Sequence, residues 1–213
     1  MFEGRDLACV RGGRLVFAHL SFALERGESL VVSGPNGSGK STLLRLLAGL
    51  LPARRGQLSF DGAAVTEDPE AFHRKLHYFG HLDATKPALT VAENLAFWID
   101  LRGGDTSRLI PALEAFGIAD LHDLPARVLS AGQRRRLGLA RLVAVPAPLW
   151  LLDEPTIALD RESVMTLHDA TAAHLAQGGM AVVATNVPMA IEGAARLELA
   201  SFAPGEAEEI LWA

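Results

Sequence analysis

The segment Gly34-Pro35-Asn36-Gly37-Ser38-Gly39-Lys40-Ser41 lies between an apolar run, Ser29 to Ser33, and a helix-like stretch, Thr42 to Leu50. A strand, a glycine-rich turn and a helix in that order form the P-loop pattern, in which the turn holds phosphate. The glycines let successive backbone N–H groups turn inward on phosphate oxygens. The positive end of the following helix directs its dipole at the same target. Lys40 then reaches the β- and γ-phosphates as a point charge, and the Ser41 hydroxyl is placed to ligate magnesium, with Thr42 next in the cradle. A glycine turn with a capping serine is the bland alternative, and it does not account for strand, motif and helix together.

A second element completes a hydrolytic centre. Leu149-Trp150-Leu151-Leu152-Asp153-Glu154 is an apolar strand that ends in two carboxylates, the form of a Walker B element. Asp153 is placed to hold magnesium through water, and Glu154 to polarise an attacking water as general base. Alone, such a strand reads equally well as the lead into an acidic turn before Pro155. Beside a P-loop the nucleotide reading prevails.

The non-alternating runs Leu30-Val31-Val32 and Leu149 to Leu152 suit strands covered on both faces of a parallel α/β sheet, and Met180 to Ala184 reads likewise. Arg14 to Phe22 and Gln57 to Asp61, with turns at Gly12-Gly13 and Asp61-Gly62, predict an N-terminal antiparallel β layer. From about Leu89 to Val145 the pattern is helical, clearest over Val91 to Trp98. The expected fold is therefore α/β: a P-loop NTPase core with a RecA-like parallel sheet, an antiparallel layer and a helical subdomain at about residues 85–145, all in one domain over 1–213.

Charge and cysteine content narrow the partners. Twenty-five acidic residues against 20 Lys and Arg leave no global basic field for nucleic acid or an anionic membrane. The triplet Arg134-Arg135-Arg136 reads as a solvated face or a subunit contact rather than a nucleic-acid site. No apolar run approaches the roughly 20 residues needed to cross a bilayer, and the charged start predicts no export signal, so any membrane attachment is expected through a partner. Cys9 is the only cysteine, which rules out an internal disulfide and suits a reducing cytoplasm.

Leu129-Ser130-Ala131-Gly132-Gln133 precedes another helix, with Ser130 a good N-cap and Gly132 allowing close backbone approach. With this LSxGQ signature the chain resembles the ATP-binding cassette family from about residue 5 to 188. The resemblance implies an ATPase that takes ATP and Mg2+ and works as a head-to-tail homodimer. Ser130, Gly132 and Gln133 of one copy would contact the γ-phosphate held by the other. Asp160, in Ile157-Ala158-Leu159-Asp160, would bridge the copies as the D-loop. Three positions depart from the family. Arg11 stands where an aromatic ring stacks on adenine; a guanidinium plane can stack too, and a plain exposed arginine fits equally. Leu82 stands where the Q-loop glutamine belongs. Asn186 takes the switch position of a histidine, and as an amide it donates to phosphate but carries no proton charge.

The stretch Gly80 to Trp98, the opening Arg11 to Phe17, the continuation Ser130 to Arg136 and the short ending after Asn186 resemble the haem-exporter ATPases of bacterial cytochrome c maturation. That implies integral membrane partner subunits and a peripheral place on the cytoplasmic face of the inner membrane. The alternatives are the ATPase of another exporter or a cassette protein outside transport. His73, His77 and His81 share a four-residue spacing, but Tyr78 to Gly80 reads as strand, which argues against a haem-ligating helix face.

Overall fold

The computed structural model describes residues 1–187 and 191–205; Pro188, which closes the segment after Asn186, lies outside the described residues. In chain order the elements begin β1 (Phe2–Arg11), β2 (Arg14–Leu24), β3 (Ser29–Ser33), α1 (Lys40–Leu47), β4 (Arg55–Phe60), β5 (Ala63–Ala64), α2 (Pro69–His73) and β6 (Leu76–Phe79). They continue with α3 (Val91–Leu101), α4 (Leu109–Ala115), α5 (Ala131–Ala144), β7 (Leu149–Asp153), α6 (Arg161–Ala176), β8 (Met180–Ala184) and β9 (Ala195–Glu198). The chain divides into two compact units. One holds Met1–Tyr78, Pro148–Glu154 and the described residues from His174 onward; the other holds Phe79–Ala147 and Pro155–Ala173.

The first unit contains both sheets. An antiparallel sheet runs β2-β1-β4-β5, and a second sheet runs β6-β7-β8-β3-β9. In the latter, β3 pairs in parallel with β8 and β9, and β7 pairs in parallel with β8, aligning Leu30 and Leu151 with Val182. Every residue of β7 and β8 is buried, which explains why their sequences do not alternate. That register brings the carboxyl ends of β3, β7 and β8 to one edge, where ligands bind in open α/β sheets.

Phe2, fully buried, anchors the core: its ring meets Phe22, Phe60 and Phe72 with centroids 5.4–6.1 Å apart. On β7, Trp150 stacks on His174 at 4.0 Å, and burial lowers the His174 pKa against a hydrogen bond with Met180 O.

The second unit is helical. Thr90 and Glu93 form a capping box that starts α3. Buried Asn94 accepts from the Lys86 amide at 2.7 Å and donates to the carbonyls of Lys86, Leu89 and Thr90, fastening the turn before that helix.

Three strands, β1, β5 and β9, escaped the sequence pattern, β5 being only two residues long. In β1, register shifts between Gly4 and Leu7 and between Leu7 and Cys9 break the period of two, and in β9 only Leu197 is buried. The helix after the P-loop begins at Lys40 and ends at Leu47, short of Leu50, because Gly49 turns left-handed at φ 71°. The three histidines do not share a helical face: His73 ends α2, His77 is buried in β6 and His81 follows that strand. No helix among the described residues is long and apolar enough to cross a membrane.

Candidate active site

The turn between β3 and α1 depends on glycine. Gly34, Gly37 and Gly39 have φ of 145°, 83° and 101°, conformations that L side chains rarely adopt. A Cβ on Gly39 would stand 2.4 Å from Val16 Cγ1, and one on Gly34 would stand 2.8 Å from Ser38 Oγ. No side chain caps α1; Gly39 holds the N-cap position, so no capping side chain competes for the first N–H groups of the helix.

Lys40 opens α1 and folds back over the loop. The residue is 6% exposed, and its ammonium group donates to Gly34 O at 2.8 Å, Pro35 O at 3.2 Å and Asn186 Oδ1. Three acceptors thus hold one point charge above the turn. Glu154 Oε1 lies 3.9 Å from the same nitrogen.

The next residue, Ser41, donates to Asp153 Oδ1 at 3.0 Å across the sheet edge, and Asp153 is 2% exposed. A hydroxyl and a carboxylate so placed are hard oxygen donors, the set that suits Mg2+. Glu154 follows in the left-handed region at φ 46°, uncommon for a residue with a side chain. Its N–H is fixed on Ala184 O at 2.8 Å, and its Oε2 accepts from the Asn186 N–H at 3.2 Å.

Asn186 therefore touches the site through both ends of its amide: Oδ1 accepts from Lys40 while Nδ2 donates to Asn36 Oδ1. The pairing with Asn36 was not legible in sequence, since the two lie 150 positions apart. Glu198 was missed likewise. Its carboxylate accepts from Ser33 Oγ at 2.7 Å, beside the strand exit that becomes Gly34. Arg11 donates to Thr42 Oγ1 at 3.4 Å, so an exposed guanidinium and a buried threonine of α1 are tied together. Tyr78, half-buried, has its phenol pKa pushed up by burial and by the nearby Asp153 charge, against a hydrogen bond from Arg45.

The remaining candidates belong to the second unit. Ser130 caps α5: its Oγ accepts from Gln133 N at 3.2 Å while Gln133 Oε1 accepts from Ser130 N at 2.8 Å. Gly132 is close-packed, since a Cβ there would stand 2.9 Å from Ala158 O, which brings the signature turn against the segment leading to Asp160. Asp160 Oδ1 accepts from Ser163 N at 2.8 Å, and hydrogen bonds with Ser163 hold its carboxyl below the usual range. The arginine triplet is not a solvated face. Arg134 donates to Leu129 O at 2.8 Å, Arg135 is buried, and Arg136 donates to Phe116 O and Gly117 O.

The first unit thus assembles Lys40, Ser41, Asp153, Glu154 and Asn186 at one sheet edge, while Ser130, Gly132, Gln133 and Asp160 lie in the second. Residues 17–157 match the model of the ABC transporter family. The chain belongs to that family. It is an ABC ATPase, which binds and hydrolyses ATP. The cytochrome c biogenesis ATP-binding export protein CcmA of Rhodospirillum rubrum is 55% identical over 96% of this chain and 88% of its own length. The CcmA of Paramagnetospirillum magneticum is 53% identical over 96% of each. Among solved structures, an ATP-binding subunit of an ABC transporter aligns with a TM-score of 0.82 and 26% identity, over 88% of this cassette and 80% of that chain. A dimeric ATP-binding cassette bound to ADP and phosphate aligns at 0.79 and 23% identity, covering 88% of each, a likeness of fold.

The pairing of Asn186 with Lys40 and Asn36 predicts an uneven effect of removing it. In Asn186→Ala, kcat should fall by about tenfold or more, the range of a lost charge-assisted hydrogen bond, while ATP affinity stays within a few-fold because the backbone cradle persists. Asn186→His should stay active and add a pH-dependent limb between about pH 6 and 7.5, with the profile repeated in a His81→Gln background to exclude that ring. Native kcat in Asn186→Ala would make Asn186 a loop residue only.

Proposed function

We propose that this cassette is the ATP-hydrolysing subunit of a haem exporter for cytochrome c biogenesis, acting as a homodimer bound to integral membrane subunits at the cytoplasmic face of the bacterial inner membrane. The observation that carries the reading is the identity of 55% over nearly the whole chain to a cytochrome c biogenesis export ATPase. Residues 1–213 act as one cassette domain, with residues 85–145 as its helical subdomain. The chain itself neither spans the membrane nor binds nucleic acid.

In this mechanism Gly34 to Ser41 and Thr42 wrap the phosphates with backbone N–H groups. Lys40 leaves its carbonyl acceptors for the β- and γ-phosphate oxygens, exchanging neutral acceptors for charged ones. Magnesium would be held by Ser41 and, through water, Asp153, and when bound it neutralises phosphate charge. Arg11 stacks on adenine through its exposed guanidinium. Glu154, fixed by its backbone bond to Ala184, takes the proton of the water that attacks the γ-phosphoryl group, and ADP leaves with the bond electrons. Asn186 orients Lys40 and the transferred group. A second copy supplies Ser130, Gly132 and Gln133 to the γ-phosphate, and Asp160 joins the two copies. Those donors come from a capped helix start, where the dipole favours an anion.

Two outcomes are expected. Glu154→Gln should bind MgATP with native affinity while hydrolysis falls by about 10²–10⁴, the usual range for a general base, and ATP should then hold a stable dimer seen by size exclusion. Near-native turnover in that variant removes Glu154 from the role. Affinity purification of the native chain from solubilised membranes should recover membrane subunits whose loss also stops cytochrome c maturation. Recovery with a drug or lipid exporter, or with no membrane protein at all, selects the corresponding rival reading.

A further inference from the structure

Arg135 stands in the middle of the arginine triplet, within the first turns of α5. The residue is 4% exposed, and an unpaired charge at such a place is costly. Nη1 donates to Gly80 O at 3.1 Å, His81 O at 3.3 Å and Asp83 Oδ1 at 2.9 Å. The same group lies over the Phe79 ring, 4.2 Å from its centroid. Gly138, further along α5, leaves room for that ring, because a Cβ there would stand 2.9 Å from Phe79 Cε2. One side chain therefore grips two successive carbonyls, a carboxylate and an aromatic face. The flat guanidinium lies over the ring while Nη1 reaches the three oxygens, a combination of stacking and directed donation that suits arginine. The gripped segment carries Leu82, which is 82% exposed. On the helix, Arg135 lies four residues after Ala131, on the same face as the signature turn.

We propose that Arg135 is a positioning residue for ATP hydrolysis: by clamping residues 80–83 onto α5 it fixes the direction in which Ser130 and Gly132 are presented to the γ-phosphate of a second copy. This rests on the shared-site reading given above. An arginine that only stabilised the fold would change the melting temperature and leave the ATP dependence of dimerisation untouched.

The test uses the full-length chain carrying Glu154→Gln, with dimer formation measured against ATP concentration and ATP binding to the monomer measured separately. Adding Arg135→Gln should raise the ATP needed for half-maximal dimer by about tenfold or more, the range expected for lost charge-assisted hydrogen bonds, while monomer binding stays within about twofold. Asp83→Ala, on a partly exposed side chain, should act in the same direction. The two together should do no more than Arg135→Gln alone, since one tie joins them. Arg135→Lys should fall between native and Arg135→Gln. If the Glu154→Gln parent never dimerises with ATP, the shared-site reading fails and this proposal with it. If the parent dimerises while Arg135→Gln and Asp83→Ala do so at the same ATP concentration, or if their effects simply add, this proposal alone is overturned.

Discussion

The site depends on how Lys40 is held. An ammonium group almost wholly buried at the start of a helix needs acceptors, and the left-handed turns at Gly34, Gly37 and Gly39 aim the carbonyls of Gly34 and Pro35 back at it. The same turns free the first N–H groups of α1 for an anion. One backbone path thus supplies the acceptors that restrain the lysine and leaves N–H donors at the helix start, and a side chain at Gly39 would collide with Val16. The turn is useful only because β3, β7 and β8 end together in a parallel register. That register sets Ser41 opposite Asp153 and fastens Glu154 to the end of β8.

The departures from family pattern have physical substitutes within reach. Asn186, where the resemblance implies a titratable ring, is an amide that uses both of its polar atoms, one on Lys40 and one on Asn36. It gives up proton charge and keeps hydrogen bonding. Arg11 keeps a flat cation tied to Thr42. Leu82 has no polar atom to offer in its side chain, yet its neighbours Gly80, His81 and Asp83 are gripped by Arg135. The polar work near that position is carried by main-chain carbonyls and one carboxylate.

What was legible in sequence was local. The P-loop, the apolar strand ending in Asp153-Glu154 and the capped LSxGQ turn each fit within a few residues, where spacing alone dictates geometry. β3 and β8 appear with the bounds expected from their apolar runs. The unread features join distant segments: Asn36 to Asn186, Ser33 to Glu198, and Arg135 to Asp83. Arginines that look solvated by composition are buried or bonded to carbonyls, because a helix buries one face whatever its charge when acceptors are waiting there. β1 was hidden by bulges that break alternation, and β9 by its single buried residue.

The central claim is that each hydrolytic centre is built from two copies, the cradle and Glu154 from one and the signature turn from the other. Mixed dimers test it most directly. A Ser130→Arg chain and a Lys40→Ala chain, each inactive alone, are combined, heterodimers are isolated through two affinity tags, and ATP turnover is measured. The account predicts that turnover reappears, because each heterodimer contains one centre with both an intact cradle and an intact signature. Purified heterodimers that hydrolyse no more ATP than either parent would contradict it.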